Sequence, residues 1–423
     1  MSLFALTLVL IMVSALFAAE REIRIGVLYP LSGPYGQVGR DNRRGTELGE
    51  EIINNKHPEI DLPIAKWGGI PSLGGAKIKF IFADHRGEPD RGADLAKKFI
   101  FDEKVVGLMG CTFSSVSKTV SNVAERYGIP MICDSSTSPE LTRRGLKWLW
   151  RTYLDDELLN KELFSLLDGL SKGKVRGVKS VPKDELKNLV SACENTEWGT
   201  NVCKSLAVLA KKNDYNLVKG ILYGAKTPDL TSEARLLVDA KPDCMLFASY
   251  TSDAILMIRT LRGMKASPKI LWGQDAGFEA SDFSKNLGFD CIGILTRSGF
   301  HPKVAKGNKV FLQINDLFKK RYGENITGMS VTLGPQTWAY ALNRAGSTDP
   351  KAIQKALNEI TIPENESMVP TGGVKFDSTG QNILIHGLIA QYQKTEEGNI
   401  GSEVVYPFDL ATAKMVYPFP GWK

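Results

Sequence analysis

Histidine is scarce in this 423-residue chain. His57, His85, His301 and His386 are scattered and stand in no partner motif, which removes the commonest general base and metal ligand from consideration. Cysteine is scarce too. The six, at positions 111, 133, 193, 203, 244 and 291, are too few to staple a chain of this length, and none shows the short pair spacing of a zinc site. No metal or other cofactor is expected. A surplus of one charge is also missing: 53 Lys and Arg stand against 47 Asp and Glu, a net +6, which falls short of the clustered basic footprint of a nucleic-acid binder. Past residue 19 no run is long and apolar enough to span a bilayer. Enzyme signatures are absent as well, with no G-x-x-x-x-G-K-S/T, H-E-x-x-H, G-x-S-x-G or G-x-G-x-x-G in a fitting place.

What is present begins with residues 1–19, which carry no charge and are rich in Leu, Val, Ile, Phe and Ala. The stretch Leu3 to Val13 has the length of an export-signal core, and Ser14, Ala15, Ala18 and Ala19 supply the small residues of a cleavage region. A single membrane anchor is the alternative. Either reading places the rest of the chain outside the cytoplasm.

From Ile23 onward, short apolar or β-branched runs alternate with amphipathic stretches, which predicts an α/β protein of two or three domains. Strands are expected at Ile23 to Tyr29, Lys77 to Asp84, Val105 to Gly110 and Ile129 to Cys133, then at Asn188 to Glu194, Leu217 to Tyr223, Cys244 to Tyr250, Lys269 to Gly273 and Cys291 to Thr296. Helices fall between them, three further helical stretches follow between Asn308 and Asn358, and β-like segments near Ile383 to Tyr392 and Tyr406 to Leu410 end the chain. Leu62 to Gly75, with two Pro and four Gly, reads as a surface loop. Ser171 to Lys183 is basic but has no interleaved aromatic, so it reads as a solvated loop. Cys111 and Cys133 each follow a strand-like run; a disulfide between neighbouring strand ends and a pair of buried thiols both remain open.

Two hydroxyl-rich loops are the candidate site. In GCTFSSVSKTV, residues Ser114, Ser115 and Ser117 lie between a strand and the next helix, whose free N–H groups favour an anion. CDSSTSPEL repeats the arrangement with Ser135, Ser136 and Thr137, followed by Ser138 as a cap and Pro139 at the first helical position. Loops at strand ends are where open α/β sheets bind ligands, and the recurrence favours binding over mere capping.

These segments, with LSGPYGQVG, ADHRGEPDRGADLAKKFI and SSTSPELTRRG before WRTY, resemble the periplasmic solute-binding proteins of branched-chain amino-acid ABC transporters. The resemblance implies two doubly wound parallel-sheet domains with a ligand cleft between them, the type I periplasmic-binding fold. It divides the mature chain into residues 20–150 plus 300–383 and residues 151–299 plus 384–423. It assigns the ligand carboxylate to Ser114 and Thr137, the ammonium to the Ser135 carbonyl, Tyr250 and Asp275, and a covering ring to Trp198. It further implies a neutral amino acid as ligand, a membrane permease as partner, and a monomer with no catalysis. Val38, Phe113 and Gly87 depart from the leucine binder. Alternatives are a binder or sensor for an aromatic acid, amide or other small carboxylate, and a nucleotide-dependent enzyme, for which LSGPYGQVG has the wrong glycine spacing.

Overall fold

A computed structural model describes residues 22–33, 35–326 and 333–422; the leader reading for residues 1–19 lies outside them. Two sheets organise the chain. The first contains β1 (Glu22–Tyr29), β2 (Lys77–Asp84), β3 (Gly107–Gly110), β4 (Met131–Cys133) and β5 (Leu149–Arg151), all parallel, in the order β2-β1-β3-β4-β5. The second contains β6 (Asn188–Glu194), β7 (Asn216–Tyr223), β8 (Cys244–Ala248), β9 (Ile270–Gly273) and β10 (Leu295–Ser298) in the matching order β7-β6-β8-β9-β10. After a small β11 (Thr361–Pro363) and β12 (Gly373–Lys375) pair, β13 (Leu388–Lys394) and β14 (Ile400–Tyr406) extend the second sheet antiparallel from β10.

The reason for strands here is burial from both faces. In β1, Ile25 and Val27 enter one apolar cluster and Leu28 the other, and Cys244 to Ala248 of β8 are all buried, which selects near-continuous apolar runs over alternation. Helices Lys309–Tyr322, Leu333–Ala345 and Pro350–Glu359 return to the first sheet, where Phe311, Trp338 and Ile353 join the same apolar cluster as Ile25. The chain passes between the lobes three times, and the passages are tied together. Gln381 Nε2 donates to the Tyr153 carbonyl at 2.9 Å, Asn382 Nδ2 to the Thr152 carbonyl at 3.0 Å, and the Gly299 N–H to the Tyr153 hydroxyl at 3.1 Å.

Several expectations change. Leu62 to Gly75 is only partly the expected surface loop: Pro63, Lys66, Pro71, Ser72 and Gly74 are exposed on two short 3-10 turns, while Leu62, Ile64 and Ile70 are fully buried and join the core. Cys111 and Cys133 are buried free thiols, and the disulfide joins Cys193 to Cys203 instead. The helix after CDSSTSPEL is a single turn, Glu140–Arg143, too short to carry an appreciable dipole. The strand expected at Cys291 to Thr296 runs Leu295–Ser298, after a 3-10 turn at Gly288–Cys291. The last strand is Ile400–Tyr406, ahead of the Tyr406 to Leu410 segment. Among the described residues no helix is long and apolar enough to cross a membrane.

Candidate functional site

In a sheet ordered 2-1-3-4-5, neighbouring connections leave in opposite directions beside the first strand, and the C-terminal strand ends there frame a crevice. Both sheets present that edge to the same cleft. From the first lobe come Thr112 and Phe113 after β3, Ser135 and Thr137 after β4, and Tyr35 and Val38 at the start of helix Gly36–Asn54; from the second come Tyr250 and Thr251 after β8, Asp275 and Ala276 after β9, and Trp198 on helix Glu197–Lys212. These residues enclose one cavity.

Four rings fill most of it. Tyr250 lies 4.5 Å from Phe113, 4.9 Å from Tyr35 and 4.9 Å from Trp198, centroid to centroid, so the two lobes meet through edge and tilted aromatic contacts. The remaining space is about 20 Å³, room for about one water. Outside the rings, Lys118 Nζ on the first lobe pairs with Glu197 Oε2 on the second at 2.8 Å, and Asn201 Nδ2 donates to Ser138 Oγ at 3.1 Å. The lobes are closed on one another. A larger hollow of about 760 Å³ runs along the outer edge at β2, but its charges already pair with each other, Arg43 with Glu47 and Arg321 with Glu51, and it lies away from both strand-end loops.

The first-lobe wall is polar. Asn42 Nδ2 donates to Thr112 Oγ1 at 2.8 Å, and Ser135 Oγ reaches Asp134 Oδ1 at 3.1 Å. Helix Ser114–Tyr127 begins directly after Phe113 and has no side-chain cap, so its first N–H groups are left without a side-chain acceptor at the cap. The second-lobe wall carries one carboxylate, Asp275. Asp275 accepts from the Ala276 N–H and from Arg297 Nη2, and Arg297 is fully buried on β10. Burial raises the Asp156 carboxyl to about 6 despite the pull of Arg297, and burial also raises Glu279. The Arg297 guanidinium thus pairs with Asp275, and its charge acts on two further buried carboxyl groups, Asp156 and Glu279. Thr112 (φ 73°), Asp275 (φ 48°) and Ala276 (φ 34°) occupy the left-handed region without being glycine. Such strain concentrates where surrounding structure holds a functional geometry. Gly277 allows it: a Cβ there would meet the Ser249 carbonyl at 2.4 Å.

Residues 22–396 match the model of the family described as periplasmic binding protein. The chain belongs to the periplasmic binding protein family. Its relatives include Leu/Ile/Val-binding protein homolog 7 of Brucella suis biovar 1, 27% identical over 97% of this chain and 99% of that protein. Among solved structures, the leucine binding protein LivK from Thermotoga maritima superposes with TM-score 0.75 at 19% identity, over 92% of this chain and 99% of that one. A solute binding protein of an ABC transporter from R. palustris, in complex with benzoate, superposes with TM-score 0.73 at 19% identity, over 94% and 98%. The fold is thus that of type I periplasmic binding proteins, and family and fold are those of substrate-binding proteins rather than enzymes.

In this binding protein Ser135, Thr137, Trp198, Tyr250 and Asp275 share the cavity. Ser114, Ser115 and Ser136 do not line it. Ser114 Oγ accepts from the Ser138 N–H at 3.2 Å and Ser136 Oγ pairs with Ser117 Oγ at 2.7 Å, both buried, so these hydroxyls brace one loop against the other; Ser115 is half-buried on the first turn of its helix. Reasoning from sequence missed Tyr35, Thr112, Thr251, Ala276 and the ring of Phe113 as lining groups, and missed Arg297. Tyr35 and Phe113 had a signal, since each is the aromatic in a strand-end loop already singled out. Arg297 had none.

Proposed function

We propose that this protein is the extracytoplasmic substrate-binding subunit of an ABC importer, exported by residues 1–19, which holds a neutral, branched-chain-like amino acid between its lobes and delivers it as a monomer to a membrane permease. One observation carries the reading: hydroxyl groups of the first lobe and a carboxylate of the second face the same ring-lined cavity. A zwitterion has the matching polarity. Its carboxylate meets Ser135, Thr137 and the uncapped start of helix Ser114–Tyr127, where N–H donors favour an anion. Its ammonium meets Asp275 and the Ser135 carbonyl, while Tyr35, Phe113, Trp198 and Tyr250 cover an apolar side chain. Ligand entry requires the lobes to part, and reclosure over the ligand excludes water and gives the permease a distinct surface to recognise.

A second reading, a small aromatic carboxylate, is favoured by the four rings and by the pairing of Asp275 with Arg297, which leaves less unbalanced charge for an ammonium. Thermal unfolding of the mature protein separates the two. A ligand at about a hundred times its Kd stabilises the native state by roughly 2.7 kcal/mol. L-leucine, L-isoleucine or L-valine should raise the midpoint, and 4-methyl-2-oxopentanoate, which keeps the carboxylate and lacks the ammonium, should not. A rise with benzoate alone would replace the first reading by the second. Product formation from any of these compounds would refute both.

A further inference from the structure

Helix Asp156–Ser171 opens with two acids that have different tasks. Asp155 is the cap, its Oδ1 accepting from the Leu158 N–H at 2.8 Å. Asp156 is free of that duty, is fully buried, and turns into the space between the lobes. Its Oδ1 accepts from Gln274 Nε2 at 3.1 Å and from Trp198 Nε1 at 3.4 Å, and its backbone N–H donates to the Thr137 carbonyl at 2.9 Å. Oδ2 accepts from no described residue. A buried carboxylate is costly to keep unless its partners need it. Here Trp198 and Thr137 line the cavity, and Gln274 immediately precedes Asp275.

We infer that Asp156 is a positioning residue for ligand binding: its carboxylate fixes the Trp198 indole at the cavity wall and ties it to Gln274, the residue before Asp275. This rests on the proposed binding function only for the choice of ligand. Asp156 sits where the first passage between the lobes becomes a second-lobe helix, and its backbone N–H holds that helix start to the first-lobe loop after β4, leaving the carboxylate for Trp198 and Gln274. Asparagine in its place keeps the shape but offers a single acceptor and a competing donor.

The test uses the mature protein with Asp156→Asn and Asp156→Ala. Binding of L-leucine and of benzoate is measured by calorimetry, and the indole N–H resonance of Trp198, assigned with Trp198→Phe, is followed without ligand. The expected result is a loss of affinity of roughly 10- to 100-fold, as for hydrogen bonds to a charged group, with a displaced Trp198 resonance. Affinity within about 2-fold of wild type in both variants, or an unmoved Trp198 resonance, would overturn the inference. If wild type takes up neither compound, the binding reading fails, while a displaced resonance in Asp156→Asn still supports the positioning of Trp198.

Discussion

Replacing Arg297 by Met deletes the guanidinium at the centre of the second-lobe wall and keeps most of its stem volume. Arg297 is fully buried, donates to Asp275 Oδ2 and to the Tyr153 hydroxyl at 3.3 Å, and lies 5.2 Å over the Tyr153 ring. Two routes give the size of the loss. Unit charges about 4 Å apart attract by roughly 4 kcal/mol at an effective dielectric of about 20, and removing one partner of a buried ion pair costs about 3–5 kcal/mol. That is a large part of a total stability of about 5–15 kcal/mol. The pH dependence has a definite sign. Burial raises Asp156 and Glu279, and Arg297 pulls both down. Without it their folded-state pKa values climb further above the unfolded ones. A carboxyl raised on folding contributes stability below its unfolded pKa, and that contribution is lost as pH rises toward the folded value. The Arg297→Met loss should therefore be greater near pH 8 than near pH 5, and Arg297→Met with Asp275→Asn should recover part of it. Urea unfolding of wild type, the single and the double variant at the two pH values measures this. A loss under about 1 kcal/mol near pH 8, or one that does not change with pH, would refute the buried-pair account.

Three further predictions concern stability. The Cys193–Cys203 disulfide closes a loop of sequence separation 10 beside Trp198, so Cys193→Ser with Cys203→Ser should lower the unfolding free energy of the second lobe by about 2–3 kcal/mol, read from denaturant midpoints. Gly107→Ala would place a Cβ 2.0 Å from the fully buried Trp338 ring and should cost about 1–3 kcal/mol, whereas Gly263→Ala, which meets nothing within 4 Å, should be near neutral in the same assay. Burial pushes His85 down to about 4, and it stays neutral with Nε2–H donating to the Cys111 carbonyl at 2.8 Å and Nδ1 accepting from the Gly87 N–H at 2.9 Å. Because the unfolded chain takes up this proton first, stability should fall as pH drops from about 6.5 toward 4, and His85→Gln should blunt the fall in pH-dependent unfolding.

How much of this was legible depends on whether a residue's environment could be inferred from its neighbours in sequence. Asn188–Glu194 is a strand over the residues read, because an interior parallel strand advertises itself by a near-continuous apolar run; Lys77–Asp84 lies at the edge of its sheet and is marked instead by alternation, with Ile78 and Phe80 buried on either side of the exposed Lys79. The carboxyl-terminal strands were less clear: Ile400–Tyr406 is an edge strand whose burial is confined to Val404 and Val405, so periodicity barely marks it. Leu62 to Gly75 misled for the opposite reason, since Pro and Gly signal turns but say nothing about where the intervening Ile and Leu side chains point. The site shows the same division. Ser135 and Thr137 were readable because a hydroxyl-rich loop after a strand has a place in the fold by local rule. Arg297 and Asp156 were not, because a charged residue in a strand or at a helix start is ordinarily solvated. Arg297 is met by Asp275, 22 residues earlier on another element, and Asp156 by Gln274, 118 residues further along the chain. No local pattern encodes a buried charge whose partner lies on another element, so the residues that set the electrostatics of this cleft emerge only once those elements are packed together.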